Sequence, residues 1–486
     1  MNYLFILLIS ILYTILFYGK VKGLSMLLFT LIFLVFTKYY LKKQDLIKNR
    51  KAFLYMIPIV LLSLTYLLFD NHTFYFLNYY AIILLYNYMV ISVTNKKELF
   101  INILRNSIKL VFDSIRNALK SFNEAISIFK SKMNIKENKK IVKYLKSIIV
   151  TIIFLAIIIN LLSSADLIFK SLFSGINKTL SNILNNIFAS SFIYKIIYTF
   201  LIFILISGLF YSINKNKLQE KEIKLPKVEY LTIKMILGSL NIIYLVFCFI
   251  QIKSLFLKSL PSNYIYSTYA KEGFFQLLFI SVINILLVLY SKKIKNNDRF
   301  ITISTLLMVI FNYIIVFSSF YRMYLYELQY GYTYLRLSVY CFLVLELIIF
   351  IPTILYILNK KIDLLKVYFN IFIIWYVFIN FINFDYIISY NNVNRFIKGT
   401  ITEEKLDTEY LSYNTTSSAV DNILKLDNKL KSKEKKSDIA SYKDKIISTY
   451  SKDIREFNLS KYIAYKKVKT LTILYNQIRV WLYEMS

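Results

Sequence analysis

Eleven stretches of mostly apolar residues follow one another along this chain, more than a soluble core can bury in series. A helix needs about 20 such residues to cross the hydrocarbon core of a bilayer. Candidates run from Asn2 to Tyr18, Leu24 to Tyr40, Ala52 to Phe69, Phe74 to Val93, Ser147 to Leu162 and Phe192 to Ile213. They continue from Leu231 to Ile252, Phe274 to Tyr290, Phe300 to Phe320, Leu337 to Leu358 and Val367 to Tyr390. Inside lipid each backbone polar group must be satisfied within its own segment or a closed barrel, so stretches this long read as helices. The expected fold is all-α: a multi-pass transmembrane bundle of about eleven helices, then a small soluble helical domain.

Basic residues set the expected orientation. Alternate connections, among them Lys38 to Lys51 and Asn95 to Lys146, hold 31 Lys and Arg in all, against 9 in the intervening ones. Lys and Arg in short loops stay cytoplasmic, which predicts a cytoplasmic amino terminus. An odd number of crossings then carries the tail after Tyr390 to the outer side. Its 18 basic residues against 12 acidic ones do not forbid this, because long segments translocate largely regardless of charge. The net charge of +32 would suggest nucleic acid in a soluble protein. Here it belongs to topology and to contact with anionic lipid, and nucleic acid is not an expected partner.

Four regions are expected: residues 1–93 with four transmembrane helices, 94–146 as a cytoplasmic basic amphipathic segment, 147–390 as a seven-helix membrane core, and 391–486 as a soluble helical domain. In the second region apolar residues recur in steps of three and four from Phe100 through Leu104, Ile108, Val111, Ile115 and Leu119 to Met133. Lys97, Arg105, Lys109, Arg116, Lys120 and Lys130 occupy another face. The pattern predicts one amphipathic helix, lying along the anionic inner leaflet or packed on the bundle or a partner chain. In the tail, Lys429 to Lys436 reads as an exposed linker between helices.

Chemistry is sparse. Cys248 and Cys341 fall inside apolar spans, His72 is the only imidazole, and no phosphate loop, catalytic triad or metal-ligand spacing occurs, so no cofactor or metal is expected. Ionisable groups within spans are costly and therefore candidates. Glu346, six residues before Pro352, suits a proton relay, a cation site, or a neutral hydrogen-bonded Glu. Lys195 and Lys234 lie near span ends, where they can snorkel. A second group gathers in the predicted outer connections: Asp166, Lys271, Glu272, Arg322, Glu327, Arg336, Asp385 and Arg395. Four acids and four bases there can form a paired cluster, with Glu327, Asp166 or Asp385 as partners of Arg322 and Arg336.

Several local patterns resemble a family of bacterial inner-membrane proteins whose shared domain has no assigned function. Ser164, Ala165, Asp166 and Phe169 are similar to its Ser-Ala-Asp turn, with Leu167 in place of Pro. Gln251, Tyr269, Ala270, Gly273, Phe274, Phe275 and Leu277 resemble a second pattern, with Lys271 in an Arg position. The most specific match is Arg322, Leu325, Tyr326, Tyr330, Gly331, Thr333 and Arg336. Asn383, Asp385, Asn392, Arg395, Leu406, Asp407, Tyr410 and Leu411 follow, with Phe384 where Pro is usual, and Phe457 to Ser460 echo a tail pattern. The resemblance implies a membrane helix bundle and no particular reaction.

Three functions compete at this level. A non-catalytic envelope protein that senses or organises a membrane or envelope protein partner through its outer face explains the absence of a catalytic grouping. A transporter or lipid translocator would use Glu346. A membrane enzyme acting on lipid-linked substrates would need Asp70, His72 or Asp166 as acid or base.

Overall fold

The computed structural model describes residues 3–95, 99–132, 191–215, 229–253, 274–294, 298–358 and 362–484, with isolated residues between 147 and 158. Helices, turns and short connections account for all of them, and no strand occurs among the described residues. Among the described residues eight helices are long and apolar enough to cross a membrane, and Tyr3–Phe17 and Phe279–Ser291 are shorter apolar helices. Nearly all of the expected crossing from Ser147 to Leu162 lies outside the described residues, as do Asp166, Lys271 and Glu272.

The chain divides into two compact units, Met1–Val21 with Arg105–Leu218, and Lys22–Leu104 with Gln219–Ser486. These cut across the four regions read from sequence, since α1 (Tyr3–Phe17) leaves the three helices that follow it. In the first unit α1 packs along α7 (Ser191–Lys215), where Thr199 donates to Thr14 at 2.8 Å. The amphipathic stretch is two helices, α5 (Phe100–Arg116) and α6 (Ala118–Lys132), separated at Asn117. The Asn117 amide donates to Ser212 of α7 at 3.2 Å. At Gly208 of α7 a Cβ would lie 2.3 Å from the Ser114 carbonyl oxygen and 3.0 Å from the Ala118 Cα, so the backbones touch and no other residue fits. The faces of α5 and α6 are therefore allotted by size. Asn106, Ser107, Leu110, Ser114, Ala118 and Ser121 are buried, whereas Ile108, Phe112, Ile115 and Leu119 are exposed.

In the second unit the apolar helices are α2 (Leu24–Lys43), α3 (Met56–Leu68), α4 (His72–Thr94), α8 (Tyr230–Gln251), the shorter apolar stretch within α9 (Phe274–Ile294), α10 (Arg299–Tyr330), α11 (Tyr334–Leu358) and α12 (Leu364–Phe381). They pack in sequence: α2 on α3, α3 on α12, α12 on α11, α11 on α10, and α10 on α8 and α9. Helix starts follow local chemistry. Asn71, Asp298 and Asp363 each accept from a backbone N–H of the first turn, satisfying one of the donors that a helix start leaves free.

α8 and α10 meet along a polar seam. Lys234 pairs with Asp298 at 3.0 Å, and the Asn241 amide donates to the Ser304 carbonyl at 3.0 Å. Tyr244 donates to Asn284 of α9 at 2.8 Å, and Asn284 donates to Asn312 at 2.9 Å. Gln251 accepts from Ser318 at 2.8 Å and from Arg322. The α8 positions step by seven, three and seven, one helix face throughout. Lys234, read as a snorkelling residue, is held by this ion pair instead. In lipid, where apolar packing gives helices little reason to associate, such bonds supply both attraction and register.

After α12 come α13 (Phe384–Ile397), α14 (Thr408–Asn414), α15 (Lys433–Thr449) and α16 (Leu459–Glu484). Their core holds Ile388, Leu411, Ile423, Ile439, Tyr442, Ile446 and Val468, and Phe74, Tyr332, Tyr334 and Leu337 pack against it. The tail core thus continues into helix-end residues of the membrane part, and the boundary expected at 391 falls inside α13. The expected linker at Lys429 to Lys436 is ordered. The Glu403 carboxylate accepts from the backbone N–H of Ser432 at 2.8 Å and of Lys431, which holds the Glu403 carboxyl below its ordinary range, and α15 begins at Lys433.

Candidate functional site

The tail is seated on one set of helix ends: the starts of α2, α4 and α11 and the ends of α3, α10 and α12. These ends belong to the connections poor in Lys and Arg. At α3 the seat is built around Asn458. Its amide donates to the carbonyls of Tyr66 at 2.9 Å and Phe69 at 2.7 Å, while its oxygen accepts from Lys461 N at 3.0 Å, in the first turn of α16. The N–H of Leu24 donates to the Phe457 carbonyl at 3.0 Å, and Ser460 donates to the Leu68 carbonyl at 2.9 Å. One polar side chain thereby satisfies carbonyls that the end of α3 leaves free.

At α10 the same need is met by two arginines. Gly331, at φ +77°, turns the chain out of α10, and a Cβ there would lie 2.5 Å from the Asn392 side-chain oxygen. Asn392 then grips the next residue at both backbone atoms, accepting from Tyr332 N at 2.8 Å and donating to Tyr332 O at 2.9 Å. Arg395 donates to the carbonyls of Glu327 and Leu328, and Arg336 to those of Tyr330 and Gly331. Guanidinium charge at a helix C-terminus also opposes the negative end of the helix dipole. The Arg336 guanidinium lies 4.4 Å from the Tyr326 ring centroid.

Between these anchors lie two buried carboxylates. Asp385, in the first turn of α13, is 2% exposed; its oxygens accept from Thr416 N at 3.0 Å and Thr416 Oγ1 at 2.7 Å, and Tyr334 is hydrogen-bonded to it as well. Burial raises this carboxyl above its ordinary value, against the pull of those three bonds. Asp70, also buried, accepts from Ser417 at 3.2 Å and pairs with Lys461 at 3.4 Å. Lys445 donates to the carbonyls of Tyr413 and Thr415 at 3.0 Å, and burial lowers its ammonium despite the nearby Asp70 and Asp385. Tyr442 donates to the Thr416 carbonyl at 2.7 Å. A cleft reaches this group between Asn71, Phe74, Asn383, Asp385 and Ser418, with about 10 Å³ of internal space, enough for one water.

The described members of the expected outer cluster therefore do different things. Of the five described, Arg336 and Arg395 cap α10, Asp385 binds Thr416, Arg322 bonds Gln251, and Glu327 is buried and hydrogen-bonded to Tyr332 and Tyr340. Asp385 and Glu327 turn to hydroxyl and backbone partners rather than to Arg336. Glu346 lies apart on α11. Sequence reading named Asn392 and Asn458 only as parts of motifs, and it missed Asp70's ion pair and Thr416. Asn458 stands one residue ahead of an apolar-periodic run, which marks an N-cap but not its second grip on α3.

A family model described as Domain of unknown function (DUF4153) matches residues 56–427. The chain belongs to that family. The matched stretch holds α3 and α4, the α8 to α12 bundle, α13 and the Asp385–Thr416 contact, while Asn458 and α16 lie beyond it. No curated protein and no solved structure matches the chain.

Proposed function

We propose that this multi-pass membrane protein is a non-catalytic scaffold or sensor of the bacterial inner membrane, presenting its tail on the outer face to a membrane or envelope protein partner. One observation carries the reading: the polar residues of the helix ends are spent on holding the tail. Asp70, Asp385, Asn392, Arg395 and Asn458 are all engaged in joining it to the membrane helices. The cleft beside Asp385 has internal space for about one water. A tail tied to six helix ends moves with them, which is what a sensor of membrane or partner state requires. The side follows from the basic residues, since the tail sits with the connections poor in Lys and Arg.

Topology is the direct test. In a variant lacking Cys248 and Cys341, single cysteines replace the exposed residues Lys436 in the tail and Gln44 in a basic connection. An impermeant thiol reagent should label Lys436→Cys in intact cells and Gln44→Cys only after lysis. The reverse pattern would sink the outward reading.

A further inference from the structure

Glu346 serves none of these contacts. It is 5% exposed, on the α11 face that repeats through Val339, Leu343, Glu346, Phe350, Thr353 and Ile357. Tyr313 donates to the Leu347 carbonyl at 3.2 Å and Phe320 lies against Tyr340, so α10 and α11 run antiparallel and Glu346 stands near the level of Ile314. Asn312 and Ser319 of α10, both buried, lie on either side of that level, within about 8 Å along the helix. Ser281 of α9 is hydrogen-bonded to the carboxyl, and Oε1 has no hydrogen-bond partner.

The seam reaches polar groups on either side of this level. Asn284, Asn312 and Tyr244 form one chain, and Gln251, Ser318 and Arg322 form another about 15 Å along α10 from Asn312 to Arg322. Titratable groups on the packed helices are Tyr313 and Arg322 on α10, Tyr244 and Cys248 on α8, Tyr340 and Cys341 on α11 and Tyr368 on α12. A lone ionised carboxylate is strongly disfavoured in such surroundings unless something neutralises it.

Two ligands could do so, a metal cation or a proton. Hard metal cations take six or more oxygens, whereas among the described residues Ser281 is the side chain bonded to Glu346, and no group of three or more His, Cys, Asp or Glu able to hold a metal exists among them. A proton needs only the carboxyl oxygen itself and one neighbour.

We propose that Glu346 is a proton-binding site within the membrane. On release the carboxyl O–H bond breaks, its electron pair stays on the oxygen, and the proton passes to a water entering the seam; uptake is the reverse. The test uses the full chain in detergent and the hydrophobic reagent dicyclohexylcarbodiimide, which couples to protonated carboxyls, with adduct sites mapped by peptide mass across a pH series. Glu346 should be modified in acid, and its labelling should fall about tenfold per pH unit above a midpoint. No adduct on Glu346 at any pH, or an adduct indifferent to pH, overturns the proposal. A carboxyl carbonyl infrared band that disappears on raising the pH in the wild type and is missing from Glu346→Gln supports it independently. Should that variant fail to fold, the wild-type mapping decides alone.

Discussion

α5 and α15 carry the same sequence signal and resolve it in opposite ways. Both repeat apolar residues every three or four positions beside a basic face. In α15 the stripe is the core, with Ile439 at 0% and Tyr442 at 1% exposure, and Lys433 and Lys436 face outward. In α5 and the start of α6 the middle of the stripe is left uncovered, with Ile115 at 60% and Leu119 at 70%, while Asn106, Ser107 and Ser114 are buried. A helix against water gains by hiding apolar area. On the expectation that α5 lies against lipid, hiding apolar area gains nothing there, and small residues that let backbones approach, such as Ser114 against Gly208, are the ones worth burying. An apolar stripe therefore identifies a core only when the solvent is known.

The largest effect should come from the α15 side. Ile439→Ala removes a fully buried side chain and should cost about 2–5 kcal/mol, seen as a lowered unfolding temperature in detergent and earlier proteolysis of the tail. A cost as small as that of an exposed residue would mean that the tail core is not continuous as described.

A smaller effect should be pH-dependent and confined to the seat. The Asp385 carboxyl is raised by burial, so its contribution to docking is fully present below the ordinary value of 3.8 and is lost as pH rises through its folded value. Hydrogen exchange of Thr416 N–H should speed up over that window in the wild type. Asp385→Asn, which stays neutral, should flatten the profile, and parallel profiles in the two proteins would refute the assignment.

The smallest effect belongs to the exposed stripe. Leu119→Ala should change stability in detergent by less than about 0.5 kcal/mol, while a peptide of residues 100–132 carrying it should gain less helicity on anionic vesicles than the native peptide. A large loss of stability instead would place Leu119 in a protein interface and erase the contrast with α15.

Much of the fold was legible beforehand. Length and hydropathy located the described spans because a bilayer imposes one length on every crossing, whereas the caps Asn71, Asp298 and Asp363 emerged only with the structure. The site was legible only in part. Gly331, Arg336, Asn392 and Arg395 were visible as parts of motifs, and the two arginines were read as members of a charge cluster. Their partners are backbone carbonyls, which have no letter in a sequence.

By itself the sequence determined a multi-pass helical membrane protein, the family to which it belongs and the polar residues available at its helix ends. Tertiary structure alone decided that α1 joins α7 rather than α2, that α5 buries its serines, that Asn458 reaches the carbonyls of Tyr66 and Phe69, and that Asp385 binds Thr416. Hydropathy is additive along a chain, so it survives without coordinates. Hydrogen-bond partnership depends on atoms brought within about 3 Å from positions hundreds of residues apart, and only the folded chain brings them there.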